Sequence, residues 1–377
     1  MTDGDAKPKT IIIAGGGTGG HLYPGIALAQ EFEKRHNANI VFIGTAYGIE
    51  NKILPKYAYV FKKIAIRGLR RKLSFTNLLF PFRFVLSLLQ SSFILMHYKP
   101  AAIIGTGGYV SGPILMMGIL FHVPTFIQEQ NSYPGLVNRL LGNRVDQVHV
   151  TFKASMKYFH KQKNIFVSGN PVRGAFNSVA KSDALQRFNL QRDKCTLFIF
   201  GGSQGAHAIN QIVLKSLDRL LENENLQILW ATGTADFVEI KKHSASSSNR
   251  VSVQKYIDDM PAAYAAANLA VCRSGASTLS EIAICGLPAI LIPYPYSAAG
   301  HQLFNAQSVA DAGAAVLLQE ATLTESIFLN TINDLIRNRQ KLEDMRQAQF
   351  KLARPQAAKD IVAAIEQHLT RQHVHAA

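Results

Sequence analysis

The feature that most limits what this chain can fold into is a repeated stretch of apolar residues, glycines and a histidine. Its first copy is IIIAGGGTGGH, residues 11–21, and its second is LFIFGGSQGAH, residues 197–207. The copies lie about half of the 377-residue chain apart, which is too far for a solenoid repeat. Each copy is typical of the strand, glycine-rich loop and helix that open a Rossmann-type domain. The repeat therefore predicts two domains of one kind.

Apolar runs alternate with helical patterns throughout both halves of the chain. Strand-like runs besides the two repeats include AAIIGTGG, NIFVSGN, LQILWATG, NLAVCRSG and PAILIPYP. This alternation predicts an α/β fold with parallel sheets covered by helices on both faces. Ligands of such folds bind beyond the carboxyl ends of the strands. Two such domains would hold a ligand in the cleft that their sheets face.

We place the change of domain near the stretch VSGNPVRG, where a strand ends in a Gly-Asn-Pro turn. The prediction is an N-terminal domain of residues 1–168 and a C-terminal domain of residues 169–354. A later proline, Pro355, precedes one more helical pattern. We expect this tail, residues 355–377, to pack back on the N-terminal domain.

Positive charge is concentrated in the first half of the chain. The formal net charge is +15, and residues 51–128 contain ten Lys and Arg residues and no Asp or Glu. This half is therefore expected to face a polyanion, such as nucleic acid, anionic lipid or a phosphorylated substrate. A nucleic-acid binder is disfavoured because the charge is not accompanied by a known module or by interleaved aromatic residues. Three cysteines without metal or disulfide spacing, and a start without a signal-peptide stretch, favour the cytosol.

The first glycine-rich loop has the spacing of a dinucleotide site. Gly15, Gly17 and Gly20 follow the pattern G-x-G-x-x-G between a strand and a helix, where backbone N–H groups can approach a phosphate. A nicotinamide site also needs an acid at the end of the second strand. The first acid after the predicted second strand, NIVFIG, is Glu50. A dinucleotide-binding oxidoreductase is therefore an alternative that these residues only partly support.

A sharper motif lies in residues 268–295, which follow the pattern of strand, small-residue turn, helix and strand. Small residues at a helix start let a diphosphate come close to the N–H groups. Glu281 follows one turn later and can accept hydrogen bonds from both hydroxyls of a ribose. A capping box formed by Thr278 and Glu281 would explain the same pair without any ligand. The motif by itself leaves both interpretations open.

Seven motifs, taken in order, resemble the MurG family, the peripheral-membrane glycosyltransferases of peptidoglycan synthesis. They are GGGTGGHLYP, IGTGGYVSGP, EQNSYPGLVNRLLG, GNPVR, GGSQGAHAIN, YIDDM and RSGASTLSEIA, and they span nearly the whole chain. The resemblance implies two Rossmann-like domains of the GT-B type. It also implies an inverting transfer of N-acetylglucosamine from UDP to the 4-hydroxyl of the muramyl sugar of lipid I, which forms lipid II. The implied location is the cytoplasmic face of the bacterial inner membrane.

Two further alternatives share this nucleotide chemistry. Another UDP-sugar-dependent glycosyltransferase would have the same fold and a different acceptor. A UDP-sugar epimerase is expected to have one Rossmann fold and a Tyr-x-x-x-Lys pair, and the chain has no such pair after a dinucleotide-type domain.

The resemblance also implies which residues bind the donor. Those beside the donor sugar are Thr18, Gly19, Gly20 and Asn131. Arg173 and Ser203 would face the diphosphate, and the backbone of Ile257 would contact uracil. The residues that would hold phosphate and ribose at a helix start are Ala276, Ser277, Thr278, Leu279, Ser280 and Glu281. Gln302 would contact the donor as well.

Two positions depart from the family's pattern. Members usually have His before Glu129, where this chain has Gln128. Many members also have acids before the His-Gln pair that ends in Gln302, where this chain has SAAG, residues 297–300. The second departure bears on the contacts that Gln302 makes with the donor sugar.

The acceptor is implied to lie beside the first glycine-rich loop and the loop of IGTGGYVSGP. The acceptor-binding residues are Gly16, Gly17, Gly107, Gly108 and Tyr109. No metal and no cofactor is expected, because a helix start and Arg173 can carry the charge of the leaving diphosphate. His21 is the candidate base, since it opens a helix whose dipole disfavours the imidazolium. Glu129 is the second candidate, and His207 is expected to be structural.

An apolar segment, residues 75–95, is nearly long enough to span a bilayer, although Pro81 and Arg83 argue against a span. Its polar residues form one stripe at helical spacing, namely Arg83, Ser87, Gln90 and Ser91. A Rossmann helix needs one apolar face for its sheet, so this helix has apolar surface to spare. We expect the segment and the basic run before it to bind an anionic membrane surface through Arg70, Arg71, Lys72, Phe75, Leu79 and Phe82. A very apolar core helix is the alternative.

Overall fold

The structure is a computed structural model that describes residues 8–68, 79–172, 176, 179–202, 204–247 and 249–376. Its contacts divide the chain into two compact units, Met1–Arg173 with Pro355–Ala377, and Gly174–Arg354. The division falls at the end of the stretch VSGNPVRG, residues 167–174. Each unit has a parallel sheet and a buried core of its own.

The first unit is built on a seven-stranded parallel sheet, counted over its described residues. Its strands are Thr10–Gly15 (β1), Asn39–Gly44 (β2), Val60–Lys63 (β3), Ala102–Gly107 (β4), Thr125–Glu129 (β5), Gln147–Val150 (β6) and Ile165–Val167 (β7). They lie in the order β3-β2-β1-β4-β5-β6-β7. The order reverses between β1 and β4, and this switch point is where doubly wound folds bind ligands.

Helices cover both faces of this sheet. The helices that precede the second unit in the chain are Gly19–His36 (α1), Glu50–Ile53 (α2), Phe80–Tyr98 (α3), Ser111–Leu120 (α4) and Leu136–Leu141 (α5). Successive side chains of a strand point to opposite faces. In β1, Ile11 and Ile13 therefore join one buried core and Ile12 joins the other. A central strand buried on both faces explains the continuous apolar run that opens the repeat.

The polar stripe of α3 faces the interior of the unit. This differs from the expectation that an apolar face of this helix packs on the sheet. Ser87 and Ser91 are fully buried, whereas Phe82 is 75% exposed and Phe93 is 68% exposed. Short serine side chains allow close packing, and their hydroxyls donate to the backbone carbonyls of Phe84 and Ser87, each at 2.7 Å. By length and composition α3 could cross a membrane. It is not a core helix, because its apolar face is exposed.

The second unit repeats the plan of the first, with six parallel strands among its described residues. They are Cys195–Phe200 (β8), Leu226–Ala231 (β9), Val251–Gln254 (β10), Leu269–Cys272 (β11), Ala289–Leu291 (β12) and Ala315–Leu317 (β13). Their order is β10-β9-β8-β11-β12-β13. Strand β8 thus occupies the place in this sheet that β1 has in the first, and the predicted fold of two Rossmann-like units is confirmed.

Helices also surround the sheet of the second unit. They are Lys181–Arg187 (α6), His207–Leu221 (α7), Phe237–Ser247 (α8), Met260–Ala266 (α9), Ala276–Cys285 (α10), His301–Asp311 (α11), Glu325–Arg337 (α12) and Arg339–Leu352 (α13). After α13 the chain returns to the first unit. A last helix, Ala357–Ala376 (α14), packs beside α1 in the first unit. Its buried residues Ile361 and Ile365 share a core with Ile11 of β1.

Candidate active site

The first glycine-rich loop joins β1 to α1 at the switch point of the first sheet. Thr18 is the N-cap residue of α1 in an extended conformation, and its side chain makes no capping hydrogen bond. The first N–H groups of a helix have no helical partner. Those of Gly19 and Gly20 are therefore available to a ligand at a partly open surface.

A buried carboxylate, Glu50 at the start of α2, holds this loop in place. It accepts hydrogen bonds from the N–H of Gly17 at 2.9 Å and from the N–H and hydroxyl of Thr45 at 2.8 and 2.9 Å. A β-carbon added at Gly16 would lie 2.6 Å from the Glu50 carboxylate. The glycine at position 16 is thus required by Glu50, and the N–H of Gly17 is already in use. No local sequence pattern indicates this contact.

The second loop, between β4 and α4, touches the first. Gly107 and Gly108 have φ values of +109° and +80°, a region that favours glycine. A β-carbon at Gly108 would lie 2.8 Å from the carbonyl oxygen of Gly16, and one at Gly107 would lie 2.6 Å from Nδ1 of His21. The predicted acceptor residues Gly16 and Gly108 therefore pack against each other, and Gly107 packs against His21. Tyr109 lies beside them with its ring exposed.

His21 is held by an amide. Its Nδ1 lies 2.9 Å from Oε1 of Gln130, which is buried in the loop after β5. Nε2 of Gln130 donates to the carbonyl oxygens of Thr106 at 2.7 Å and Gln128 at 3.1 Å. Sequence reasoning did not single out Gln130, although it lies inside the quoted motif EQNSYPGLVNRLLG.

Glu129, the second candidate base, organises the loop that follows it. Its buried carboxylate accepts hydrogen bonds from the N–H groups of Asn131 at 2.8 Å and Gly135 at 2.9 Å. The side chains of Asn138 and Asn131 add donors at 2.7 and 3.2 Å. Both carboxylate oxygens of Glu129 are thus engaged with groups of its own loop. The side chain of Asn131 is engaged in this loop as well.

Gln128, which departs from the family's pattern, is fully buried in β5. Its Nε2 lies 3.4 Å from the carbonyl oxygen of Gly169 and 3.5 Å from Oδ1 of Asn170, and its Oε1 accepts from Gln130. It therefore acts through its neighbours and not by touching a substrate.

The corresponding loop of the second unit joins β8 to α7. His207 is the first residue of α7 and His21 lies in the first turn of α1, but Nδ1 of His207 pairs with Oδ1 of Asp236 at 2.9 Å. Asn210 donates to the same carboxylate at 2.6 Å. Burial acts to raise the pKa of Asp236, but the hydrogen bonds from Asn210 and His207 outweigh it and hold this pKa below its usual range. Ser203 of this loop lies outside the described residues, as does Arg173.

Helix α10 begins where the small-residue motif predicts. Its N-cap residue is Gly275, which has no side chain to cap the helix. The capping-box interpretation is therefore wrong, because it requires Thr278 at the N-cap and Thr278 lies inside the first turn. The first-turn N–H groups of α10 are left for a ligand. Ala276 and Leu279 have buried side chains, so they can offer only backbone atoms.

Glu281 is oriented by a tyrosine of the neighbouring helix. The hydroxyl of Tyr264, on α9, donates to Oε2 of Glu281 at 2.8 Å. Burial and the Glu281 carboxylate hold the pKa of Tyr264 well above its usual value, so this hydroxyl stays a donor. In the same helix turn, the hydroxyl of Ser280 donates back to the carbonyl of Ala276 at 2.9 Å. The Ser277 hydroxyl is buried and has no hydrogen-bond partner among the described residues.

The remaining predicted donor residues lie near the carboxyl edge of the second sheet. The side chain of Ile257 is buried, which fits a contact through its backbone. Asp259 caps α9 by accepting from the N–H of Ala262 at 3.0 Å. Gln302 accepts at Oε1 from the N–H of Tyr294 at 2.9 Å, and its carbonyl accepts from Ser274 at 2.7 Å. The amide nitrogen of Gln302 is the part left for a ligand.

Of the predicted membrane residues, two can be placed. Leu79 and Phe82 are exposed at the start of α3. Arg70, Arg71, Lys72 and Phe75 lie outside the described residues. The exposed apolar face of α3 continues along the helix through Val85, Leu86, Leu89, Phe93 and Met96.

Comparison with known proteins bears on both units. Residues 11–150 match the model of the glycosyltransferase family 28 N-terminal domain, and residues 196–361 match that of the C-terminal domain. A relative from Desulforamulus reducens is 40% identical over 368 residues, which are 96% of this chain and 99% of the relative. It is named UDP-N-acetylglucosamine–N-acetylmuramyl-(pentapeptide) pyrophosphoryl-undecaprenol N-acetylglucosamine transferase.

Solved structures show the same architecture. MurG of Acinetobacter baumannii superposes with a TM-score of 0.78 at 28% identity, covering 96% of this chain and all of that one. A UDP-GlcNAc 2-epimerase of Neisseria meningitidis, bound to UDP-GlcNAc, superposes with a TM-score of 0.67 at 13% identity over 95% of this chain and all of that one. The expectation that an epimerase would have a single Rossmann fold is therefore wrong. Transferases and epimerases thus share this fold, so the fold alone does not distinguish the two activities. The match at 40% sequence identity is to a transferase.

Proposed function

Since this chain belongs to the MurG family of glycosyltransferases, we infer that it transfers N-acetylglucosamine from UDP-N-acetylglucosamine to the 4-hydroxyl of the muramyl sugar of lipid I. The product is lipid II, a precursor of peptidoglycan. The observation that carries this inference is the 40% identity over 96% of the chain to a transferase of that name. The oxidoreductase alternative loses its support, because the glycine-rich loop of the first unit is explained by family 28.

The donor nucleotide would bind at the first turn of α10. N–H groups there, and the buried hydroxyl of Ser277, which has no partner among the described residues, suit phosphate oxygens. Glu281 receives the Tyr264 hydroxyl on Oε2, and its carboxylate would accept the ribose hydroxyls through its remaining lone pairs. Arg173 and Ser203 are proposed at the diphosphate, and the Ile257 backbone at uracil.

The acceptor would bind at the paired glycine-rich loops of the first unit. The two loops meet where Gly108 packs against Gly16, and Gly107 lies against the His21 ring; the acceptor carries a diphosphate. Tyr109 is exposed in the second of these loops. The N–H groups of Gly19 and Gly20, with Thr18 and Asn131, are proposed on the side of the donor sugar.

The chemical step is one displacement at the anomeric carbon. The bond from the acceptor oxygen to that carbon forms as the bond to the UDP oxygen breaks, so the configuration inverts. Nε2 of His21 accepts the proton of the attacking hydroxyl. The leaving diphosphate is stabilised by the first-turn N–H groups of α10.

We propose that the enzyme works as a peripheral protein on the cytoplasmic face of the bacterial inner membrane. The exposed apolar face of α3 supports this, because large contiguous apolar surfaces mark interaction sites. The basic run of Arg70, Arg71 and Lys72 would add headgroup attraction of about 1 kcal/mol per residue. Salt is then expected to weaken binding, because this attraction is screened.

Co-sedimentation with vesicles tests the membrane proposal. Replacing Phe82 and Phe93 by Ser should release the protein from anionic vesicles, as should replacing Arg70, Arg71 and Lys72 by Glu. Val238 on α8 is 77% exposed, so Val238→Ser is a matched control in the second unit that should sediment like the parent. Equal sedimentation of all the variants would contradict the proposal.

The transfer itself is tested with labelled UDP-N-acetylglucosamine and a lipid I analogue. The expected product is a disaccharide with a β-linkage, formed only when the acceptor is present. Inversion at C2 of the UDP sugar without acceptor would indicate an epimerase. Faster transfer from another UDP sugar, or to another acceptor, would indicate a different glycosyltransferase.

A further inference from the structure

We propose that Gln130 is a positioning residue that fixes His21 as the tautomer with its proton on Nδ1 and its lone pair on Nε2. The proposal rests on His21 being the base of the transfer. The observation that carries it is the hydrogen-bond chain from the backbone of Thr106 and Gln128 through the Gln130 amide to the His21 ring.

The orientation of the Gln130 amide follows from its surroundings. Gln130 is 1% exposed, and one end of its amide faces the carbonyl oxygens of Thr106 at 2.7 Å and Gln128 at 3.1 Å. Carbonyl oxygens only accept hydrogen bonds, so the NH₂ group must be at that end. The reversed amide would set its oxygen against two other oxygens in a buried place. Oε1 therefore faces His21.

Gln128 supports the same orientation. Its Nε2 is directed at the oxygens of Gly169 and Asn170, which leaves its Oε1 to accept from Nε2 of Gln130. The residue that replaces the family's usual His thus adds a third acceptor at the NH₂ end of Gln130. The orientation of Gln128 thus agrees with that of Gln130, which the two backbone carbonyls determine.

The tautomer of His21 follows from the amide. Because Oε1 of Gln130 can only accept, Nδ1 of His21 must be the donor across 2.9 Å. In the neutral ring Nε2 then carries the lone pair, and Nε2 has no hydrogen-bond partner among the described residues. Gly107 packs against the other side of Nδ1, where a β-carbon would come within 2.6 Å. Nδ1 of His21 is thus engaged with Gln130, whereas Nε2 is left to accept a proton.

This arrangement suits a base that must also release its proton. When Nε2 receives the proton of the acceptor hydroxyl, Nδ1 keeps its proton and its bond to Gln130, so nothing has to rearrange. Without the amide, the ring could also take the tautomer with its proton on Nε2, which has no lone pair to offer the acceptor. Removing Gln130 should therefore lower the turnover more than the substrate binding.

Nitrogen-15 NMR of histidine-labelled protein at about pH 8, where an ordinary histidine is neutral, tests the proposal directly. His21→Ala assigns the signals. The wild-type ring should show a protonated Nδ1 and an unprotonated Nε2, and Gln130→Met should shift the ring toward the opposite tautomer. A wild-type ring protonated on Nε2 would overturn the proposal, and this measurement does not need an active enzyme.

Kinetics give the second readout. Gln130→Met should lower kcat by roughly 10–100-fold, the loss that is typical when the partner orienting a metal-binding histidine is removed, with the KM for UDP-N-acetylglucosamine within about threefold. Gln349→Met is the matched control, since Gln349 is a buried glutamine of the second unit that donates to the carbonyl of Ala314 at 2.9 Å. An unchanged kcat in folded Gln130→Met would overturn the positioning role. Absence of transfer in the wild type would instead contradict the proposed function.

Discussion

His21 and His207 lie at the start of corresponding helices in two units built on one plan, yet they have different partners. Nδ1 of His21 meets the neutral, buried amide of Gln130, whereas Nδ1 of His207 meets the carboxylate of Asp236. Both partner oxygens only accept a hydrogen bond at Nδ1, so a neutral ring keeps its Nε2 lone pair in either place. The two sites differ in the charge of the partner and in their surroundings, since Gln130 is buried beside the second glycine-rich loop and the side chain of His207 is 72% exposed. The repeated motif predicts both loops, and because of these surroundings we expect only His21 to act as the base.

The comparison extends to what each unit has at its glycine-rich edge. The first unit places two touching glycine-rich loops beside His21, which suits proton transfer beside an anionic acceptor. The second places the start of α10 and Glu281 near its carboxyl edge, which suits a nucleotide. We therefore expect variants of the first unit to change the rate and variants of the second to change UDP affinity.

The largest effect is expected for His21→Ala. Loss of a general base should lower the rate at saturating substrates by roughly 10²–10⁴-fold, with UDP affinity unchanged. Steady-state kinetics and calorimetry on the same preparation give both values. A loss below tenfold would transfer the role to Glu129 or to solvent.

Glu281→Ala should have the next largest effect, on UDP affinity. A hydrogen bond to a charged group contributes roughly 1.5–3 kcal/mol, which corresponds to roughly 10–150-fold in Kd. Calorimetric titration with UDP measures it, and circular dichroism shows whether the variant is folded. An unchanged Kd would mean that Glu281 serves only as the partner of Tyr264.

Tyr264→Phe is expected to weaken UDP binding less. The variant keeps the ring and removes the hydroxyl that donates to Glu281 at 2.8 Å. Loss of this orienting bond should cost about 0.5–1.5 kcal/mol of UDP affinity. If the Kd does not change while the melting temperature falls, the tyrosine contributes to stability only.

The smallest effect is expected for His207→Ala, which sharpens the comparison most. An exposed pair contributes little, about 0–1 kcal/mol of stability, and we expect kcat to stay within about threefold of the parent. The rate is measured beside that of His21→Ala at the same substrate concentrations. A tenfold loss would mean that both histidines take part in the reaction.

Much of the fold could be predicted from local sequence, and the contacts across the sheet could not. The repeat and the alternation of runs predict both parallel sheets, and the small-residue motif predicts the start of α10. His21 and Gln130 are 109 positions apart, so their contact exists only once β1 and β5 lie in one sheet. The same holds for Gly17 with Glu50. A glutamine or a glutamate in a short motif gives no signal of the group it will meet.

The orientation of α3 shows a second limit. Its polar stripe can be read from helical spacing, but spacing does not say which face packs on the protein. The two serines satisfy their hydroxyls within the helix, so burying them costs little, and the large apolar side chains remain outside. The donor and acceptor roles carried over from the family stay predictions, including those of Arg173 and Ser203.

The pH dependence of single-turnover transfer tests the central claim, the division of roles between His21 and His207, most directly. A base that must be neutral gives a rate that rises with pH and levels off once the base has lost its proton. The account predicts this rise in the parent and in His207→Ala, and its loss in His21→Ala. An unchanged rise in His21→Ala, or its loss in His207→Ala, would contradict the account.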